Sequence, residues 1–90
     1  MVMEPMLNFG EAGRAFGTSS RSWMYDAIKR GVMVRPVQFG PRALRFPASE
    51  IQQLVSARIA GLPDDQVRVL VNRLHAERKE RAAVLLGAAA

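Results

Sequence analysis

The chain is predicted to form a mostly α-helical domain with a small β-hairpin and a long C-terminal helix. Apolar residues recur at helical spacing in four segments, and two short segments between them alternate apolar with polar residues. Glycine, proline or serine marks the junctions between these segments. A length of 90 residues and a hydrophobic content of 49% allow one small domain with a modest core.

Helix one is predicted from about Phe9 to Phe16. Asn8 followed three residues later by Glu11 is the pattern of a side-chain cap with a carboxylate in the first turn. Phe9, Ala12 and Phe16 are expected to face the core. Glycines inside this helix lower its intrinsic stability, so tertiary packing must hold it.

Helix two is predicted from a cap at Ser20 to Arg30, where Gly31 ends it in the left-handed conformation. Its inward stripe at helical spacing is formed by Met24, Ala27 and Ile28. A hairpin over residues 37–46 follows, with Gly-Pro-Arg-Ala at 40–43 as its turn. Leu7 is a candidate for a short additional strand on this hairpin.

Helix three is predicted from about Ser49 to Ala60, and the last helix begins at Asp64. The inward residues expected on helix three are Ile51, Leu54, Val55 and Ile59. The last helix carries an apolar stripe formed by Val67, Leu70, Val71 and Leu74. That stripe either folds back on helix three or meets a partner chain, and a homodimer through these four residues is a hypothesis.

These elements give three expected regions. Residues 1–6 are interpreted as a flexible leader, residues 7–61 as the helix and hairpin domain, and residues 62–90 as the C-terminal helix with a frayed tail. The N-terminus has no apolar run long enough for a signal peptide or membrane span, so no membrane association is expected. A cytoplasmic protein is the expectation.

The composition argues against several classes of chemistry. The chain has no cysteine and one histidine, His75, which leaves no zinc-ligand set and no thiolate nucleophile. Its few carboxylates are scattered, and Glu11, Asp26 and Glu50 are interpreted as capping and surface residues. No nucleophile and base pair stands out, so an enzyme is not expected.

The net charge of +5 is concentrated in the helix and hairpin region. Residues 10–60 hold eight of the 13 Lys and Arg residues but only three carboxylates. Such an excess is typical of a surface that binds a polyanion.

Two helices, a tight turn and a two-stranded wing describe a winged helix-turn-helix, in which the second helix enters the DNA major groove. At its start, Arg21 could bridge the two acceptors of guanine, and Ser20 and Ser22 could bond base edges or phosphate. Arg42 at the wing tip and Arg45 on the wing could reach phosphates or a minor groove. The remaining candidate contacts are Tyr25 and Lys29, one helical turn apart on helix two.

A simpler interpretation is available for each of these residues alone. Arg21 and Lys29 could be solvated surface residues, and Ser20 could be only a helix cap. Trp23 lies beside the apolar stripe of helix two and is expected to pack rather than to read bases. Taken together and in this order, the residues favour DNA binding.

The segments Ser-Arg-Ser-Trp-Met-Tyr-Asp-Ala-Ile-Lys-Arg-Gly at 20–31 and Pro-Val-Gln-Phe-Gly-Pro-Arg-Ala-Leu-Arg-Phe at 36–46 resemble the AlpA-type regulators of phages and integrative elements. The resemblance extends to the wider group of MerR-like excisionases and covers about residues 7–60. It departs from the family pattern at Trp23, at the glycines of helix one and in the long helix after Pro63.

The resemblance implies a bacterial, nucleoid-associated protein that binds double-stranded DNA without cofactors and controls transcription or directs an integrase towards excision. By position, it assigns Ser20, Arg21, Ser22 and Tyr25 to the recognition helix and Arg42 to the wing. An alternative from another class is a protein-interaction adaptor that uses its C-terminal helix to bind an integrase or another partner.

Overall fold

Seven elements follow one another in the computed structural model, which describes residues 3–87. Their bounds in chain order are β1 Met6–Leu7, α1 Phe9–Ala15, α2 Arg21–Lys29, β2 Val37–Gln38, β3 Leu44–Pro47, α3 Ala48–Ile59 and α4 Asp64–Leu85. The predicted class, mostly α-helical with a small β component and a long last helix, is confirmed. Residues 1–2 and 88–90, which include the end of the expected tail, lie outside the described part.

The first helix begins at the predicted cap. The Asn8 side chain accepts a hydrogen bond from the Glu11 backbone N–H at 2.8 Å, and the Glu11 carboxylate accepts one from the Asn8 N–H at 3.0 Å. Steric crowding explains why position 13 of this helix is a glycine. A Cβ on Gly13 would lie 2.9 Å from the Thr18 carbonyl oxygen, so only glycine lets the turn pack this closely on α1.

The second helix is bounded as predicted by Ser20 and Gly31. The Ser20 hydroxyl accepts a hydrogen bond from the Trp23 N–H at 3.1 Å, and Gly31 has a φ of 79°. Met24 and Ala27 are buried, and Ile28 packs against the core. Both ends of α2 are therefore fixed by the residues that the sequence indicated.

The hairpin becomes a three-stranded antiparallel sheet because β1 adds to it, in the order β1-β3-β2. Leu7 pairs with Phe46, as its candidate strand required, and Met6 pairs with Pro47. Phe46 is fully buried, so β3 joins the sheet to the core below it.

Residues 4–6, expected as part of a loose leader, are tied to the body. Ala48 N–H donates to the Pro5 carbonyl at 3.0 Å, and Ser49 N–H donates to the Glu4 carboxylate at 3.1 Å. The α3 N-cap position is Pro47, whose side chain cannot accept these hydrogen bonds. The leader residues supply the missing cap, which is why they are ordered against α3.

The third helix buries Ile51, Leu54 and Ala57. Ile59, expected to face inward, is instead 82% exposed. The buried positions repeat every three residues, so Ala57 takes the place in the core that the sequence pattern had assigned to Ile59.

The last helix folds back on the same core. Val67, Val71 and Leu74 are at most 2% exposed, and Leu70 is half-buried. Of the two alternatives for this stripe, the packing within the chain is therefore seen for Val67, Val71 and Leu74, and the homodimer stays a prediction. Residues on both sides of the expected boundary after residue 61 belong to one hydrophobic core, which α4 completes.

Two polar contacts secure α4. Glu50, interpreted from sequence as a capping and surface residue, is only 6% exposed and accepts hydrogen bonds from two nitrogens of Arg78, with its Oε2 3.0 Å from Arg78 Nε. His75 is not a free surface residue either, because its Nε2 accepts the Arg35 backbone N–H at 3.1 Å. Together they join α3 and the segment after α2 to the last helix.

Candidate nucleic-acid interface

The start of α2 presents short polar and cationic side chains to solvent. Ser20 caps the helix, and its own N–H donates to Thr18 Oγ1 at 3.0 Å, so the preceding turn holds the cap in place. Arg21 and Ser22, the first two helical residues, are exposed. The helix start is therefore both fixed and accessible.

Arg21 lies against an aromatic cluster. Its guanidinium carbon is 4.8 Å from the centroid of the Phe9 ring, a cation–π distance. Phe9 also stacks on Tyr25 and meets Phe46 edge-on, with ring centroids 5.0 Å apart in each pair. Since Phe9 is almost fully buried, this cluster gives both Arg21 and Tyr25 a rigid support.

The hairpin turn carries Arg42 at its tip. Phe39 N–H donates to the Ala43 carbonyl at 2.8 Å, which closes the predicted Gly-Pro-Arg-Ala turn and leaves Arg42 exposed. Arg45, on β3, donates from Nη1 to the Leu44 carbonyl at 2.9 Å and is half-buried.

The helix start and the hairpin meet at one cleft, referred to below as the α2–wing cleft. It encloses about 270 Å³. Its polar lining consists of three arginines and two carboxamides, namely Arg21, Arg42, Arg45, Asn8 and Gln38. Three of the seven predicted site residues thus converge on the same opening.

The other four predicted residues lie outside this cleft. Ser20 shares a neighbouring cavity of about 260 Å³ with Arg21. Tyr25 is half exposed on the Phe9 ring. Ser22 and Lys29 are exposed on α2, but Lys29 lies in the last turn, about 12 Å along the helix axis from Arg21 at about 1.5 Å per residue.

The cleft arginines differ from the paired cations of the molecule. Within residues 3–87, none of Arg21, Arg42 and Arg45 forms an ion pair with a carboxylate. The nearest acids in sequence are already engaged: Glu11 in the cap of α1, Asp26 with Arg30 at 2.8 Å, and Glu50 with Arg78. The positive charge at the cleft is therefore uncompensated.

Three arginines outside the cleft, Arg30, Arg58 and Arg78, do form ion pairs with carboxylates. Arg30 and Arg58 both reach Asp64, at 3.4 and 2.8 Å. The hydrogen bond from Arg58 is the largest cause that lowers the pKa of the Asp64 carboxyl, and the charges of Arg58, Arg30 and Arg68 add to it. Asp64 is thus held ionised between two arginines at the start of α4.

Sequence reasoning missed three residues of this region. Phe9 was expected only as a core residue, whereas its ring also positions Arg21. Asn8 was expected only as a cap, and Gln38 only as the polar residue between two apolar ones. The strand alternation did place Gln38 on the solvent face, so a search for polar neighbours of the turn could have found it.

A larger surface groove lies elsewhere, between α3 and α4, and encloses about 720 Å³. Its lining is serine, glutamine and apolar side chains with Arg73 as the one charged residue. This groove lacks the charge concentration of the α2–wing cleft.

Trp23 packs on Phe16, with ring centroids 5.6 Å apart, and keeps 38% of its surface exposed. The packing role expected for it is confirmed by this contact. Its neighbours in the same shallow cavity include Val55 and the exposed Ile59.

Comparison of the chain with protein-family models, with curated proteins and with solved structures found no match. The resemblance to AlpA-type regulators therefore stays a hypothesis that depends on the residues quoted for it. In residues 3–87, no helix combines the length and the apolar character that crossing a bilayer requires.

Proposed function

We propose that this chain is a sequence-specific double-stranded DNA-binding protein of the winged helix-turn-helix type. In this proposal α2 enters the major groove, and the β2–β3 wing contacts the backbone or the minor groove. The observation that carries it is the convergence of Arg21 from the helix start with Arg42 and Arg45 from the wing on one cleft without an ion-paired carboxylate.

The dimensions and chemistry of this face suit a duplex. An α-helix with its side chains is about 10–12 Å across, and the major groove is about 12 Å wide. Contacts to phosphates supply most of the affinity in such complexes, and contacts to base edges supply specificity. Ser22, exposed in the first turn of α2, has a hydroxyl that can bond either.

The biological role within this proposal is a transcriptional regulator or an excision directionality factor of a phage or integrative element, acting at the bacterial nucleoid. This part depends on the resemblance of residues 20–31 and 36–46 to the AlpA-type regulators. An integrase would be the partner of an excision factor.

A second candidate, a protein-interaction adaptor, is favoured by exposed apolar side chains away from the cleft. Val84, Leu85 and Leu86 at the end of α4 are 71–81% exposed. An adaptor would use this end of α4 for its partner and would not need duplex DNA.

The test is fluorescence anisotropy with a labelled duplex at rising salt. Wild-type affinity should fall steeply with salt, because phosphate contacts release counterions. Arg42→Glu should weaken binding about tenfold or more, whereas Arg81→Glu, an exposed arginine on α4, should change it about twofold or less.

The two variants change the net charge equally, so only the position of the charge differs. Equal losses in both would mean that net charge, not the cleft face, drives binding. Salt-independent or absent binding by the wild type would favour the adaptor.

A further inference from the structure

We propose that the α2–wing cleft is a binding site for a single phosphodiester group, held jointly by Arg21, Arg42 and Arg45. This inference rests on the proposed function and makes it more specific. It assigns Arg21 a contact with the DNA backbone, in place of the guanine contact that the sequence suggested.

The first step is the chemistry of the lining. Three guanidiniums and two carboxamides surround about 270 Å³, and no carboxylate lines the opening. This volume is several times the roughly 30 Å³ that one water molecule occupies in the liquid, which leaves room for a phosphate group. Guanidinium groups match phosphate oxygens in planar, bidentate geometry.

The second step is the position of Arg21. Its guanidinium lies 4.8 Å above Phe9, a ring that itself lines the cleft. Because it lies over this ring and lines the same cleft as Arg42 and Arg45, the guanidinium rests on the protein surface instead of extending outward from α2. Base edges deep in a groove require the outward direction, whereas a backbone phosphate at the protein surface does not.

The third step is preorganisation. Phe9 is held by Tyr25 and Phe46, so the support beneath Arg21 is rigid. The hydrogen bond from Arg45 Nη1 to the Leu44 carbonyl uses one donor and leaves the remaining guanidinium N–H groups for a ligand. Side chains already held in place lose less entropy when they bind.

The fourth step is electrostatic. Three like charges around one opening repel each other, and no acid within residues 3–87 is paired with them. The Gln38 side chain makes a hydrogen bond within the wing, because its Nε2 donates to the Gly40 carbonyl at 3.2 Å. An anion in the cleft would relieve the repulsion, and a phosphodiester is the anion that a duplex presents at its surface.

Fluorescence anisotropy measures how much duplex affinity Arg21→Ala, Arg42→Ala and the double variant lose. It also measures the order in which each variant binds a panel of duplexes. A panel of duplexes of different sequence should keep its order of affinity in Arg21→Ala, since a lost phosphate contact weakens all sequences alike. The double variant should lose about threefold less affinity than the product of the two single losses, because both residues hold the same group.

Arg81→Ala combined with Arg42→Ala is the matched control, and its losses should multiply. Thermal unfolding of each variant checks that it remains folded. An altered order of duplexes in Arg21→Ala would make it a base-reading residue and overturn the inference. Multiplicative losses in the Arg21 and Arg42 double variant would also overturn it, while leaving DNA binding intact. Failure of the proposed function is distinct, because it is visible in the wild type alone.

Discussion

Arginine has opposite surroundings on the two sides of this molecule. Towards α4, Arg30, Arg58 and Arg78 form ion pairs with Asp64 or with the buried Glu50. Around the α2–wing cleft, Arg21 and Arg42 have no such partner in residues 3–87. Arginine residues thus stabilise the fold through ion pairs towards α4, whereas those at the cleft carry positive charge that no carboxylate of the described residues pairs with.

This difference shows why a count of charges along the sequence misplaces a binding surface. The excess in residues 10–60 includes Arg30 and Arg58, whose partner Asp64 belongs to the following segment. Once the ion pairs are assigned, six of the eight cations in residues 10–60 have no carboxylate partner within residues 3–87, and three of those six, Arg21, Arg42 and Arg45, line one cleft. The candidate surface is therefore distinguished by the clustering of unpaired cations and not by the net charge of a segment.

The largest effect expected from this comparison is on stability. Arg78→Ala removes the ion-pair partner of Glu50, whose side chain is only 8% exposed, and removal of one partner of a buried pair costs about 3–5 kcal/mol. We expect a loss near the lower end, about 3 kcal/mol, because Arg78 is itself 22% exposed.

Urea denaturation at neutral pH measures this change. The matched variant is Arg42→Ala, which should alter the free energy of unfolding by about 0.5 kcal/mol or less. Similar losses of unfolding free energy in the two variants would mean that the ion-paired Arg78 stabilises the fold no more than the unpaired Arg42 does.

The next effect concerns the turn that orients α2 against α1. Gly13→Ala should destabilise the fold by about 1–3 kcal/mol, because the new Cβ would lie 2.9 Å from the Thr18 carbonyl oxygen and the turn must move. Gly10→Ala is the control in the same helix. Its nearest neighbour would be Asn8 Oδ1 at 3.4 Å, so it should be neutral or stabilise by up to about 1 kcal/mol.

The midpoint of thermal unfolding should therefore fall in Gly13→Ala and should rise or stay unchanged in Gly10→Ala. A stabilised Gly13→Ala variant would mean that the turn is not packed closely on α1.

A smaller effect separates capping from DNA binding at Ser20. Ser20→Ala should cost about 1 kcal/mol of stability, because the Trp23 N–H loses its acceptor. Ser20→Asp keeps a good cap and a favourable charge at the helix start, so it should retain stability. Its carboxylate beside Arg21 should nonetheless weaken duplex binding.

Denaturation and anisotropy on the same samples check both statements. If Ser20→Asp bound DNA as tightly as the wild type, the start of α2 would lie away from the duplex.

The sequence predicted features that depend on neighbouring residues. The Asn8 cap, the Ser20 cap, the Gly31 stop and the hairpin turn each require a contact within a few residues, and all four are confirmed. Local chemistry also placed Arg21 at a helix start and Arg42 at a turn tip. The pattern could not show that they share one cleft.

The features that the sequence did not predict all depend on contacts between distant segments. Residues 4–6 are ordered because Glu4 caps α3, a contact across 45 positions. Glu50 is buried because α4 brings Arg78 over it. Ile59 is exposed because the core meets α3 at Ala57. For Glu50 and Ile59, helical periodicity identified the helix but not the element that packs on it.

The smallest predicted effect concerns the hydrogen bond from the Arg35 backbone N–H to His75 Nε2, which links the segment after α2 to α4. Partial burial is the main cause that lowers the pKa of His75, with the charges of Arg35 and Arg78 adding to it and Glu50 opposing it. The unfolded chain, with a pKa near 6.5, therefore binds this proton more readily than the folded chain. The stability that His75 contributes is complete above about pH 6.5 and is lost as the pH falls through the lowered pKa.

The free energy of unfolding should therefore decrease from pH 7.5 to pH 5.5, and His75→Gln should remove most of that decrease. Glutamine can still accept the Arg35 N–H through its side-chain oxygen but has no proton to gain in this range. Asp64 does not interfere, because its lowered pKa moves its own contribution to more acidic pH. Denaturation at the two pH values measures the change. An equal pH dependence in wild type and His75→Gln would mean that the segment linking α2 to the wing is held to α4 without this bond.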